Sequence, residues 1–545
     1  MLSIQSVRRG GQILAIAVAL LLALPMLIVA ASVLQPAGEA WRHIADTLLA
    51  RYALNTALLV ALVACGVMSI GVVCAWLVAT YRFPGVRVLE WALVLPLAVP
   101  AYVMAYAYTD WLQFTGPVQG ALRALTGWGA REYWFPEIRS LGGAAVVLSL
   151  ALYPYVYLIA RAAFRDLPRS AIEAGRLAGY SAWGSFGRVA LPLARPAVAA
   201  GTALALMETL ADFGTVSYFG LEVFTTGIFK AWFGMGDATA AAQLATCLLG
   251  FVVVVLALER LSRGRSAFHA TAPAKPVPPQ RLRGARAALA SLACALPVVL
   301  GFILPAGILV ELAASSPEAR AEARLLALVG NSFTLSGVTA LAAVLLAVAL
   351  AYAARLSRSR VAAAANRVAA LGYAVPGAVI AVGVLVPLGR LDNWLAGVLE
   401  DLTGAKAGLL FTGTIAALVY ACLVRFLAVA LQTTEAGLAR ITPSMEDAAR
   451  SLGASPAAAL ARVHAPLLAP SLATAALLVF VDVMKELPAT FALRPFNFDT
   501  LAVEAYHLAK DERLAEAAVP SLVIVAVGLV PLALLARRYF QATRS

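Results

Sequence analysis

The sequence predicts an all-α polytopic membrane protein of about twelve spans, built as two six-span halves that repeat in parallel. Three observations predict it. Of 545 residues, 62% are hydrophobic and only 13% are charged, too apolar a balance for a soluble globule. The apolar residues gather into separate runs of the roughly 20 residues that carry a helix across a hydrocarbon core. One helical-hairpin signature is also written twice, each time between such runs.

In the first copy Glu173-Ala174-Gly175 is followed by Gly179 and Leu191-Pro192; in the second, Asp447-Ala448-Ala449 is followed by Gly453 and Ala465-Pro466. In both, the glycine stands six residues after the acid and the proline thirteen after the glycine. A charged hairpin with defined turns, carried by a membrane bundle, suits an element gripped from the aqueous side.

The spans read in order at about 13–34, 54–80, 88–108, 142–163, 194–216 and 240–261, then 288–312, 332–354, 368–388, 411–431, 468–486 and 517–536. The run at 13–34 follows Arg8-Arg9 and is too long, without a clear small-residue cleavage site, for a signal peptide; it reads as an uncleaved first span. The first half is residues 1–261 with its hairpin at about 169–192, and the second is 287–545 with its hairpin at about 443–466. Residues 262–286, with Lys275-Pro276-Val277-Pro278-Pro279, read as a cytoplasmic polar linker.

The net charge of +13 does not point to nucleic acid, because the arginines lie in short loops between apolar runs. Arg8 and Arg9, Arg82 and Arg87, Arg161 through Arg195, Arg260 through Arg286, Arg355 through Arg367, and Arg537-Arg538 all fall on one side. That side is the cytoplasm by the positive-inside rule, so both termini and both hairpins are expected inside, with membrane lipid around the spans. The opposite loop 109–141 carries the interfacial aromatics Trp111, Trp128, Tyr133 and Trp134.

The repeat can be followed residue by residue. Asn55 maps to Asn331 and Pro100 to Pro376 at an offset of 276. At an offset of 274, Gly179 maps to Gly453, Pro192 to Pro466, Pro196 to Pro470, Glu208 to Asp482, Asp212 to Glu486, Phe224 to Phe498 and Asp237 to Asp511. Six spans per copy give both halves the same orientation, hence a pseudo-two-fold along the membrane normal.

Within each hairpin the local chemistry builds two short helices around a turn. Gly179 and Gly453 can take the left-handed backbone that ends a helix. Ser181 and Ser455 are N-caps, with Pro456 at the first helical position, and Thr442-Pro443 is a start signal upstream. This pattern resembles the EAA loop of the permeases of ABC importers, half by half over essentially the whole chain. The resemblance implies a type I importer permease whose loops dock on a separate ATP-hydrolysing subunit. It assigns the ATPase-coupling positions to Glu173, Ala174 and Gly179 and to Asp447, Ala448 and Gly453. Gly175, Asp447 and Ala465 depart mildly from the family pattern. The sequence contains no Gly-x-x-x-x-Gly-Lys-Ser/Thr phosphate loop, so the motor belongs to the partner, in two copies, and this chain is expected to be no enzyme and to need no cofactor.

Three further stretches are Leu95-Pro96-Leu97-Ala98-Val99-Pro100-Ala101-Tyr102, Glu208-Thr209-Leu210-Ala211-Asp212-Phe213-Gly214-Thr215, and Asp482-Val483-Met484-Lys485-Glu486-Leu487-Pro488-Ala489-Thr490 running on to Arg494 through Thr500. With the fused two-half layout they resemble the ferric-iron importer permeases, which implies a periplasmic iron-binding protein as second partner. Fused thiamine permeases share the architecture, and sulfate, polyamine and phosphonate permeases share the half-unit. Glu208 and Asp212 are four apart and expected on one face of the fifth span; Asp482, Lys485 and Glu486 occupy the matching region of the eleventh. Such groups either line a pathway, where carboxylates suit a hard cation, or pair with one another, Lys485 with Asp482 or Glu486.

The other candidates are bland. Cys65, Cys74, Cys247, Cys294 and Cys422 lie in apolar segments without a CxxC pair. His43, His269, His464 and His507 show no metal-ligand spacing, and His464 is expected at an ATPase contact or in solvent. Tyr153-Pro154-Tyr155 marks a kink, either lining a cavity or packed. An ion-coupled secondary transporter would also show twelve spans and a pseudo-two-fold; its acids would carry protons and its hairpins would bind nothing.

Overall fold

The computed structural model describes residues 4–130, 132–167, 177, 179–263, 280–315, 322–357, 359–404 and 408–542. Among them, eleven helices are long and apolar enough to cross a membrane: Arg9–Leu34, Leu49–Thr80, Leu141–Arg165, Phe186–Ala211, Ala238–Ser262, Gly284–Ser315, Arg324–Ser357, Gly377–Thr403, Ile415–Ala439, Pro456–Met484 and Leu514–Leu534. A pair, Val86–Ala98 and Ala101–Thr126, bent by 93°, makes twelve when taken as one span.

That pair corrects the straight third span expected at 88–108. Pro100 holds an extended backbone (φ −57°, ψ 142°) before the helix Ala101–Leu112, and a proline there cannot continue the preceding helix. Pro376 repeats the break (φ −57°, ψ 140°), so the ninth span starts at Gly377 rather than near 368. In both halves a short interfacial helix precedes the break, Val86–Ala92 in one and Arg360–Ala369 in the other.

The chain divides into two compact units, one of Met1–Trp41, Ile228–Thr246 and Ala321–Glu504, the other of Arg42–Gly227, Cys247–Arg320 and Ala505–Ser545. The units cut across the sequence halves. In the first unit, the first span packs on second-half helices Glu322–Ser357, Arg360–Ala369 and Gly377–Thr403. Small residues permit this: a Cβ on Gly11 would stand 3.1 Å from Ala353 Cβ, and one on Gly383 only 2.4 Å from the Pro25 carbonyl oxygen. Tyr420 also donates its hydroxyl to the Leu21 carbonyl at 2.5 Å. In the second unit the seventh span packs on first-half residues. Tyr108 donates to the Leu300 carbonyl at 2.5 Å, Ser291 donates to the Pro84 carbonyl at 2.9 Å, and Gly301 lies against Pro96.

Of the expected linker 262–286, residues 264–279 lie outside the described residues. The chain re-enters as Gln280–Arg281, a two-residue strand parallel to Tyr81–Arg82, and the Leu282 amide donates to the Arg82 carbonyl at 2.9 Å.

The repeat register holds early and slips late. Asn55 donates to the Glu222 carbonyl at 2.8 Å, as Asn331 does to the Asp499 carbonyl at 3.0 Å. The Phe224 amide donates to Thr56 Oγ1, as the Leu501 amide does to Ser332 Oγ. Phe224 therefore corresponds to Leu501, not Phe498. Likewise Gly236 (φ 68°) corresponds to Glu512 (φ 61°), which pairs Asp237 with Arg513 rather than Asp511. The cause is the stretch from Pro488 to Leu501, three residues longer than Gly214 to Phe224 and clamped by Arg494 Nε to Asp499 at 2.7 Å, of which the π-helical turn Lys230–Gly234 of the first half takes one residue back.

Candidate coupling hairpins and intramembrane acids

The second hairpin is fully built. Its first helix, Pro443–Ser451, ends at Gly453, whose φ of 82° suits a residue without Cβ. The Ala454 amide donates to the Ala449 carbonyl at 3.0 Å, the long bond of a Schellman cap. Ser455 then caps the return helix through the Ala458 amide at 3.2 Å, with Pro456 at its first position. In the first copy, Gly179 has φ 80° and Ser181 accepts the Gly184 amide at 3.1 Å. Glu173, Ala174 and Gly175 lie outside the described residues. Asp447 and Ala448 are exposed, and Leu177 and Leu452 beside the two turns are 90% and 89% exposed.

Each return helix enters the membrane through one turn of π-helix, Phe186–Ala190 and Leu460–His464, at equivalent positions. Each turn rests on an aromatic residue near the end of the second span of its half, Trp76 or Tyr352. Trp76 stands 5.1 Å from Phe186 and 5.3 Å from Phe164 between ring centroids. Tyr352 donates its hydroxyl to the Pro456 carbonyl at 2.8 Å, and its ring lies 5.2 Å from that of His464. His464 is therefore not a solvent-exposed or partner-facing residue: it is fully buried, because its imidazole packs inward on Tyr352. The sequence reading missed Trp76 and Tyr352, although both are aromatic and stand 276 apart.

A second pair of joints ties the interfacial helices to the span that leads into each hairpin. Glu90, buried, receives Arg161, and Arg165 at 2.9 Å; Tyr157 donates to its backbone carbonyl at 2.8 Å. At the corresponding place Asn366 donates to the Glu435 carboxylate at 3.1 Å. Arg355 closes the tenth span by donating to the Leu438 and Ile441 carbonyls at 2.6 and 2.9 Å.

Asp212 and Glu486 take roles other than those expected, whereas Lys485 and Asp482 form one of the expected pairings. Glu208 and Asp212 do not share a helix face, since the helix stops at Ala211 and Asp212 is extended (ψ 129°). Its carboxylate instead caps the short helix Gly214–Tyr218, accepting Thr215 Oγ1 at 3.0 Å and the Val216 amide at 3.1 Å. Glu486 does the same for Pro488–Leu493: it accepts the Ala489 and Thr490 amides, both at 2.9 Å, and Thr490 Oγ1 at 2.7 Å. Arg425 stands 3.6 Å from it. Lys485 pairs with Asp482 at 2.9 Å, both partly buried. Among the described residues no three His, Cys, Asp or Glu side chains gather as a metal site.

Of the cysteines, Cys74, Cys294 and Cys422 are buried and Cys65 is exposed. Tyr153 is fully buried beside the helix-internal Pro154.

A duplicated set of apolar spans, with an equivalent left-handed glycine turn in each half at Gly179 and Gly453, defines a multi-pass membrane protein. The chain belongs to the family of binding-protein-dependent transport system inner membrane components, whose profile matches twice, over residues 68–265 and 343–541. Chains of this family are transport permeases of the inner membrane that work with an ABC ATPase and a periplasmic binding protein. The chain is similar to the Fe(3+)-transport system permease protein FbpB 2 of Haemophilus influenzae, 28% identical over 89% of this chain and 90% of that protein. It also resembles the sulfate transport system permease protein CysT of Escherichia coli, 29% identical over 27% of this chain and 50% of that protein. The molybdenum transport system permease protein ModB of the same species is 27% identical over 36% of this chain and 88% of that protein.

Proposed function

We propose that this chain is the permease of an ATP-driven importer that moves ferric iron, handed over by a periplasmic iron-binding protein, across the bacterial inner membrane. The observation that carries the substrate is the extent of the likeness: the Fe(3+) permease aligns along both halves, whereas the sulfate and molybdenum permeases align with only 27% and 36% of the chain.

Positive-inside loops put both termini and both hairpins in the cytoplasm. Each hairpin receives one copy of the ATPase subunit, with Glu173, Ala174 and Gly179 on one and Asp447, Ala448 and Gly453 on the other, and the exposed Leu177 and Leu452 as apolar contacts. ATP-driven closure of the subunits moves the hairpins as levers and alternates the bundle between outward and inward access. This chain contributes no chemistry of its own.

The pathway candidates divide by their surroundings. Glu208 and Asp482, equivalent and partly buried in the fifth and eleventh spans, are the acids best placed to meet a hard cation in transit, with Lys485 tempering Asp482. Asp212 and Glu486 serve first as helix caps behind them.

The test is uptake of radiolabelled Fe3+ by cells lacking this chain and by the same cells complemented with it, with thiamine uptake run in parallel. The proposal expects iron uptake lost and restored, and thiamine uptake unchanged. Intact iron uptake in the deleted cells would remove the substrate while leaving the permease family untouched.

A further inference from the structure

Both hairpins meet the bundle at the same kind of joint. Trp76 and Tyr352 stand at equivalent positions near the cytoplasmic ends of the second and eighth spans, 5% and 6% exposed. Each presses on a turn of π-helix, Phe186–Ala190 or Leu460–His464, the segment through which the return helix becomes a membrane span. A π-turn holds one residue more than an α-turn, and such insertions recur at functional sites. Prolines follow directly at Pro192 and Pro466 and again at Pro196 and Pro470. They remove backbone donors from the next turns, leaving the joint compliant along its axis.

The contacts differ while the arrangement is kept. Trp76 is held between Phe164, at the end of the fourth span, and Phe186, so one ring touches both the span that leads into the first hairpin and the helix that returns from it. Tyr352 touches the return arm twice, by its hydroxyl on the Pro456 carbonyl and by its ring on buried His464. Three residues further along the same helix, Arg355 holds the carbonyls of Leu438 and Ile441, where the other arm of the second hairpin begins. Each second-span end thus contacts both the span that leads into its hairpin and the helix that returns from it, by aromatic contacts in one half and by hydrogen bonds and an aromatic contact in the other. A mere packing role does not require both grips at both places.

We infer that Trp76 and Tyr352 are positioning residues that transmit hairpin movement into the spans, and binding-protein docking back to the ATPase, across the two π-turns. This rests on the importer reading. Neither residue lies on the exposed hairpin surface, so ATPase docking does not depend on them directly.

The experiment is ATP hydrolysis by the complete transporter, permease with its ATPase subunits in lipid vesicles, with and without its binding protein loaded with ferric iron. Trp76→Leu and Tyr352→Phe are measured singly and together, beside the conservative swaps Trp76→Tyr and Tyr352→Trp. The expected result is copurification of the ATPase and basal hydrolysis as in wild type, with stimulation by the loaded binding protein lowered about 5- to 10-fold in the double variant. Trp76→Tyr restores stimulation in the first half. Tyr352→Phe, which deletes one hydroxyl, keeps the test open if the double variant does not assemble, and its expected loss is about 2- to 5-fold. Full stimulation in Tyr352→Phe and in the double variant overturns the inference. Loss of assembly and basal hydrolysis in Tyr352→Phe as well as in the double variant overturns it too and leaves the residues structural. Absence of stimulation in the wild-type complex instead overturns the importer reading.

Discussion

The carboxylate of Glu486 and the side chain of Thr490 close one turn: Glu486 accepts both the amide and the hydroxyl of Thr490, at 2.9 and 2.7 Å, and starts the helix Pro488–Leu493 where the eleventh span breaks. Asp212 makes the equivalent break at the end of the fifth span with Thr215 and the Val216 amide. Glu486 is 5% exposed and faces Arg425, so its removal takes a counter-charge from beside a buried guanidinium and leaves two amides and the Thr490 hydroxyl short of an acceptor. Glu486→Ala is expected to cost about 3 kcal/mol. Thermal unfolding in detergent checks it, against Asp212→Ala, where loss of a cap costs about 1 kcal/mol.

Glu208 makes the opposite prediction. It is a partly buried acid within an intact helix, and the cap of the helix that follows is Asp212 rather than Glu208. Glu208→Ala is expected to lower ferric uptake several-fold while ATPase copurification and melting stay as in wild type. Unchanged uptake would return Glu208 to a structural role.

The joint between interfacial helix and hairpin span is charged in one half and amide-based in the other: Glu90 with Arg161, Asn366 with Glu435. Asn366→Glu places two carboxylates together and is expected to destabilise by about 2 kcal/mol. Adding Glu435→Arg rebuilds the first-half pair and should recover most of that loss. A double-mutant cycle on melting midpoints reads the coupling, and additivity of the two changes would contradict the equivalence.

The first span is lodged among second-half helices through Gly11 and Gly383. Gly11→Cys with Ala353→Cys should form an intramolecular disulfide on oxidation, because a Cβ at residue 11 would stand 3.1 Å from that of Ala353 and need to part only by about half an ångström to reach the roughly 3.5–4.5 Å a disulfide spans. Gly383→Val, which meets the Pro25 carbonyl, should lower the yield of that cross-link. Absence of the cross-link in folded, ATPase-binding protein would contradict this placement.

Much of this was legible in the sequence because apolar length and repeat spacing are local signals. The twelve segments, the two left-handed glycines and the serine caps at Ser181 and Ser455 follow from residue type at fixed offsets. The bends at Pro100 and Pro376 were legible too, but hydropathy averages across a break and turned two broken segments into straight spans. The exchange of first spans was not legible, since Gly11 and Gly383 carry no mark of their partners. The register slip after Leu493 hid behind a chance recurrence, Phe224 and Phe498 matching in type but not in place. His464 misled because its polarity suggested water, whereas Tyr352 supplies a packed surface.

The central claim is that ferric iron crosses through this chain under the drive of subunits held by the two hairpins. The most direct measurement is ATP-dependent uptake of radiolabelled Fe3+ into vesicles containing the complete transporter, in wild type and in the variant carrying Gly179→Pro and Gly453→Pro. The account predicts uptake in wild type that stops without ATP, and none in the variant although its bundle stays inserted. Uptake that persists without ATP, or that survives loss of both glycine turns, would contradict it.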